Sequence, residues 1–229
     1  MIHQQIQKEI IALKNDDQAK ILQGFFKTGK GEYGFGDKFL GVKVPVTRKV
    51  VTKYCHNATI ADAQHLLTSK YHEVRLAGVL ILVYLYERNP KLVFTYYLRN
   101  VGVKKGINNW DLVDVSAYHI VGHYVTHYMT KKEACDFYDT LSSSHDLWKK
   151  RVAIVSTFYS IKQGNPIPTF VIAQKYLTDT HDLIHKATGW MLREVGKRVS
   201  ELELKRFLTR HHTKMPRVMY RYATERIKK

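Results

Sequence analysis

The sequence is poor in nearly everything that marks a secreted, membrane-spanning or metal-dependent protein. Two cysteines in 229 residues, Cys55 and Cys135, fit no metal-ligand or redox spacing, so a disulfide scaffold and a zinc ribbon are excluded. Twelve histidines provide no HExxH pair. The longest apolar run, Leu76 to Tyr86, has 11 residues, short of the roughly 20 that a membrane span needs. The segment Met1–Ile10 is polar and charged, and reads as neither signal peptide nor anchor. A reducing, cytoplasmic compartment is therefore expected. Acids are also scarce: 20 Asp+Glu stand against 37 Lys+Arg, a formal net charge of +17 and a pI near 9.7. With 45% apolar and 12% aromatic residues and a mean hydropathy of −0.32, the chain has material for a core and is not disordered. The cationic excess points to a polyanionic partner.

The charge is spread along the chain. Residues 1–114 carry 17 cations and 10 anions, residues 115–229 carry 20 and 10, and Lys197–Lys229 alone holds 11 cations against three anions. In that last segment Leu202, Leu204, Phe207, Leu208, Met215, Val218, Met219, Tyr222 and Ile227 keep helical spacing, which predicts a folded basic surface and not a floppy arm. Strand signals are nearly absent. Amphipathic stretches predict helices over roughly 3–14, 16–26, 45–56, 59–69, 71–88, 90–99, 109–128, 131–143, 146–162, 167–178, 181–198, 200–211 and 215–227. Pro45, Pro90, Pro166 and Pro216 sit at or beside helix starts, where a missing N–H costs nothing. The fold class is all-α.

A repeat runs through these helices. Arg75-x-Ala77, Arg151-x-Ala153 and Arg221-x-Ala223 recur, with Ala117 and Ala187 at the comparable position, giving alanine spacings of 40, 36, 34 and 36. Such a period, built from helix pairs, predicts an α-solenoid of HEAT-like repeats in one domain over residues 1–229, with a concave basic face. One stretch breaks the pattern. Six of the 13 glycines fall between Gly24 and Gly41, predicting a loop with several positive-φ positions. Lys27 and Lys30 suggest a phosphate cradle, but no strand precedes the loop and no GK[ST] closes it, so an ordered connector is expected.

Three segments carry candidate chemistry. In the helix opened by Asn108-Asn109-Trp110-Asp111, the residues Val113, Ala117, Ile120, Val121 and Tyr124 form the core face, while Trp110 and Asp114 stack on an adjoining one. Asp111 suits the helix dipole; Asp114 reads as a structural or a catalytic acid. Arg151, in Trp148-Lys149-Lys150-Arg151, offers a bidentate fork to a phosphate or pairs between helices, and Trp148 reads as a packing residue. Lys186, Trp190, Arg193 or Glu194, and Lys197 share a third helical face, with Gly189 leaving space beside the indole for something to dock, unless Trp190 is buried between repeats. His119, His123 and His127 form a ladder at i, i+4 and i+8, read as a polar helix face; no metal is expected.

With these residues in view, the sequence resembles the AlkD-like DNA alkylation repair proteins, HEAT-like-repeat DNA glycosylases of bacteria. The resemblance rests on FFKTGKGEYGFGDKFLGVKVP (Phe25–Pro45), NWDLVDVSA (Asn109–Ala117), WKKRVAIVS (Trp148–Ser156) and KATGWMLREVGK (Lys186–Lys197), in order and together spanning most of the chain. It implies a catalytic Asp114, lesion-flanking Trp110 and Trp190, and a phosphate-contacting Arg151. Lys43, Arg48, Lys149, Lys186, Arg193 and Lys197 are then the expected DNA-binding cations. It implies a cofactor-free, monofunctional hydrolase, monomeric and nucleoid-associated, that releases cationic alkylpurines such as 3-methyladenine and 7-methylguanine from double-stranded DNA. Asn109 departs from members that carry a second tryptophan there, and the Gly-rich loop is longer than in some relatives. The competing reading is a non-catalytic HEAT-repeat module that binds nucleic acid or protein. A membrane-surface role does not fit cations distributed over folded repeats.

Overall fold

The computed structural model describes residues 1–227 and is all-α; two isolated bridges, Lys38 with Tyr71 and Val101 with Ile107, are the sole β-type pairings among these residues. Lys228 and Lys229, the last cations of the basic C-terminal segment, lie outside them. The chain packs as two compact units, Met1–Leu112 and Val113–Lys229.

The first unit holds α1 (Ile2–Ala12), α2 (Asp16–Phe25), α3 (Val44–Tyr54), α4 (Ile60–Leu67), α5 (His72–Tyr86) and α6 (Pro90–Asn100). Helix starts follow local chemistry. Asn15 accepts the N–H of Gln18, Thr59 and Asp62 close a reciprocal capping box, and Pro45 and Pro90 stand in the first turns of α3 and α6. The apolar run seen in the sequence is α5, of whose 15 residues 13 are buried. A helix apolar all round belongs at the centre of a layered unit, and α4, α3, α6 and α1 pack around it. No helix among the described residues is long and apolar enough to cross a membrane.

The short helix α7 (Trp110–Asp114) leads into the second unit, which holds α8 (His123–Tyr128), α9 (Lys131–Ser142), α10 (Leu147–Ser156), α11 (Phe158–Lys162), α12 (Ile167–Lys175), α13 (Asp182–Arg198), α14 (Glu201–His211) and α15 (Arg217–Thr224). The core lies between α10 and α13, through Val152, Ile154, Val155, Ile184, Met191 and Val195. The expected span 109–128 is not one regular helix. A π-helical turn over Tyr118–Gly122 separates α7 from α8. A π turn adds a residue to the cycle and rotates everything after it. Val113, Ala117, Ile120 and Val121 are buried as expected, but Val125 takes the core place assigned to Tyr124, which is half-exposed.

The repeat has a physical basis. Ala77, Ala117, Ala153, Ala187 and Ala223 are all buried, at 0 to 1% exposure, where a small residue allows close helix approach. Two of the repeat arginines also make matching bonds. Arg75 donates to Asp37, 38 residues back, and to the Gly106 carbonyl, 31 residues on. Arg151 donates to Asp114, 37 residues back, and to the Leu183 carbonyl, 32 residues on. Arg221, the third copy, is exposed.

The Gly-rich connector is ordered. Lys27, Gly31, Gly36 and Gly41 have positive φ, and Phe26, Phe39, Leu40 and Val42 are buried. The consecutive N–H groups of Leu40, Gly41 and Val42 converge on the buried carboxylate of Glu73, at 2.8 to 3.2 Å. The anion in this cradle is the protein's own. A side chain at Gly41 would strike the Asn15 carbonyl at 2.1 Å, which explains glycine at that φ of +82°.

Candidate active site

In the second unit, Asp114 and Arg151 form a bidentate pair. Arg151 Nε donates to Asp114 Oδ1 at 2.9 Å and Nη2 to Oδ2 at 2.7 Å, while Nη1 donates to the Leu183 carbonyl at 2.7 Å. Both side chains are largely withdrawn from water, at 6% and 17% exposure. The parallel bonds fix the plane of the carboxylate. Of the two readings of Arg151, interhelical pairing is realised in this structure, with three of its five N–H groups engaged. Arg151 is held by α10, whose start is set by Asp146 accepting the N–H groups of Trp148 and Lys149. Trp148 itself is 1% exposed, a packing residue.

Trp190, on α13, is half-buried and lies 6.4 Å from the ring of Phe158, over which Arg198 is placed. The space that Gly189 was expected to leave beside it is filled. A Cβ at Gly189 would meet the Met219 carbonyl at 2.4 Å and Tyr222 Cβ at 2.5 Å. The glycine serves the packing of α15 against α13, and the docking reading of it is corrected. Of the cations on α13, Lys186 pairs with Asp182 at 2.7 Å, Arg193 pairs with Glu225, and Lys197 is exposed. Lys149 on α10 is exposed as well. In the histidine ladder, His127 Nε2 bonds the Tyr159 hydroxyl at 2.8 Å, and the His123 and His127 rings lie 4.4 Å apart.

In the first unit, Lys43 and Arg48 are exposed at the start of α3. Trp110 is half-buried and stacks on Phe26 with ring centres 4.9 Å apart and planes within 9°; Phe25 meets its edge at 5.8 Å. Beneath this pair is a buried polar network that sequence reasoning missed. His72 Nδ1 bonds Asp37 at 3.1 Å and His72 Nε2 bonds Asp111 at 2.8 Å. Asp37 also accepts from Arg75 at 2.5 Å and from Asn109 at 3.2 Å. Burial opposes charge on His72, but Asp111 and then Asp37 outweigh it and raise its pKa to about 9. Burial likewise pushes Asp37 up, yet His72, Arg75 and Asn109 together hold it below the usual carboxylate range. Asp111 thus does more than face a helix dipole. The local hint is the Arg75-x-Ala77 repeat; the partners lie 35 to 72 residues apart.

Comparison with known proteins places the chain in one family. No curated protein matches the sequence significantly. Among solved structures, a predicted DNA alkylation repair enzyme from Enterococcus faecalis superposes with a TM-score of 0.72 at 15% identity, covering 94% of this chain and 97% of that one. The smu.31 protein of Streptococcus mutans UA159 superposes with a TM-score of 0.58 at 17% identity, over the full length of both chains. At those identities the likeness is one of fold. The sequence profile of the DNA alkylation repair enzyme family matches residues 6–227, nearly the whole chain, and the protein belongs to that family.

Proposed function

We propose that the protein is a monofunctional DNA glycosylase, hydrolysing the N-glycosidic bond of cationic purines alkylated at N3 or N7, among them 3-methyladenine and 7-methylguanine, and leaving an abasic site in duplex DNA. The observation that carries this reading is the Asp114–Arg151 pair in a member of a DNA alkylation repair family. An alkylated purine already carries a positive charge and departs without a general acid. The barrier lies in the positive charge that grows on the deoxyribose as the bond breaks. A carboxylate of fixed plane near that sugar stabilises the charge and orients the attacking water. Trp110 and Trp190 present aromatic faces that attract the cationic base and the sugar edge. Arg151 aims Asp114 and offers its two remaining N–H groups to a phosphate oxygen. No lysine nucleophile enters, so water is the acceptor and the strand is left uncut.

On this reading both units act as one DNA-binding domain, monomeric, cytoplasmic and nucleoid-associated, with Lys43, Arg48, Lys149, Lys186, Arg193 and Lys197 as the cations that meet the DNA backbone. A second reading, a non-catalytic module that binds nucleic acid or protein, is favoured by the matching Asp37–Arg75 pair, which makes an aspartate–arginine pair a structural device of the repeat. Release of free base from methylated duplex DNA separates the two. A glycosylase releases alkylpurine and leaves alkali-labile sites; a wild-type protein that binds DNA without release is the module.

A further inference from the structure

Trp110 is gripped from both sides. Before it, Asn109 is fully buried; its Oδ1 accepts the Trp110 N–H at 2.8 Å and its Nδ2 donates to Asp37. After it, Asp111 accepts from His72 through Oδ2 and from the Leu112 N–H through Oδ1, both at 2.8 Å. Both grips meet at one imidazole, which is 2% exposed. The His72 ring also lies 4.5 Å from Phe39 and 5.0 Å from Phe26, the residue on which the Trp110 indole stacks.

We propose that His72 is the positioning residue for Trp110, its two ring nitrogens tying Asp37 and Asp111 together so that the indole is held in one orientation for the reaction. The proposal rests on the glycosylase reading only for the purpose of the orientation; the grip itself does not depend on it. Donating from both nitrogens to two carboxylates requires the imidazolium. The charged groups around the ring are Asp37, Asp111 and Arg75, which with His72⁺ sum to zero, and Glu73, whose carboxylate is turned to the backbone of Leu40–Val42. Removing the ring proton leaves one buried carboxylate without a counter-charge, and the Asp37–His72–Asp111 bridge opens on one side.

The test uses the whole protein with 5-fluorotryptophan in place of its three tryptophans, the Trp110 fluorine resonance being assigned by Trp110→Phe. The expected result is that this resonance titrates with a midpoint near pH 9, and that in His72→Gln it is displaced and broadened at pH 7 while the Trp148 and Trp190 resonances stay in place. A Trp110 resonance that does not titrate, or that is unmoved in His72→Gln, overturns the proposal. Should His72→Gln not fold, Asp111→Ala removes the acceptor of the Nε2 bond, together with that of the Leu112 N–H, and is read in the same way. A second measurement follows single-turnover base release from methylated duplex. His72→Gln is expected to slow release by up to about 10²-fold, the scale of a small misplacement, with DNA affinity unchanged. Equal loss of affinity and rate would make His72 merely structural. If wild type releases no base, the glycosylase reading fails while the fluorine arm still decides the grip.

Discussion

Arg151 presents two parallel N–H groups to the two oxygens of Asp114, and its third bond, to the Leu183 carbonyl, anchors the guanidinium to the start of α13. The carboxylate is therefore held by a side chain that is itself held, in surroundings that admit little water. Three expectations follow from this and from the network under Trp110, and a fourth from the packing of α15 against α13.

Asp114→Asn removes the negative charge and places an amide against the Arg151 fork. Base release from methylated duplex is expected to fall by at least about 10²-fold, the usual effect of deleting one preorganised electrostatic group. DNA binding measured by anisotropy should remain. A mutant as active as wild type would sink the proposed mechanism.

Arg151→Ala takes from Asp114 its bidentate partner and from the Leu183 carbonyl the Arg151 donor. Breaking so withdrawn a pair costs about 3 kcal/mol, read from denaturant midpoints. The slope of log K against log salt should also drop by about one unit if the guanidinium neutralises a phosphate. An unchanged slope would confine Arg151 to holding Asp114.

Alkaline pH should loosen the first unit. The folded pKa of His72 is raised, to about 9 from an ordinary 6.5, so its stabilisation is full below about pH 6.5 and is lost as pH rises through 9. Thermal unfolding is expected to begin several degrees lower at about pH 9.5 than at pH 7, with the difference reduced in His72→Gln. Equal pH dependence in the two proteins would count against a charged His72.

Gly189→Ala sets two effects against each other. Alanine in a helix interior gains about 1 kcal/mol over glycine. The added Cβ meets the Met219 carbonyl at 2.4 Å, backbone that cannot swing aside, and overpacking of this kind costs about 1–3 kcal/mol. A lower Tm is expected, and a higher one would show that α15 is free to shift.

Much of the fold was legible in the residues themselves. Caps such as Asn15 and Thr59 and the prolines beside helix starts act within three or four residues, and most helices form close to where they are expected, while the spans 109–128 and 146–162 are each divided. The buried alanines from Ala77 to Ala223 follow the repeat because close helix approach demands a small side chain at each turn of the pattern. Asp114, Trp110, Trp190 and Arg151 stand out as a set only through motif resemblance, because no local pattern joins residues so far apart along the chain.

What the sequence by itself determined, then, was the all-α class, the repeat and the cationic excess, all set by periodicity, capping and composition. Only the tertiary structure decided that Arg151 grips Asp114 and that Glu73 fills the glycine-rich cradle. It also decided that the π turn replaces Tyr124 with Val125 in the core and that His72 joins Asp37 to Asp111. The physical reason is the same in each case. A dehydrated charge must find its partner wherever folding brings one near, and these partners lie more than 30 residues away along the chain. A helical register likewise answers to the packing against it, and neither effect leaves a mark within the few neighbouring residues that local patterns read.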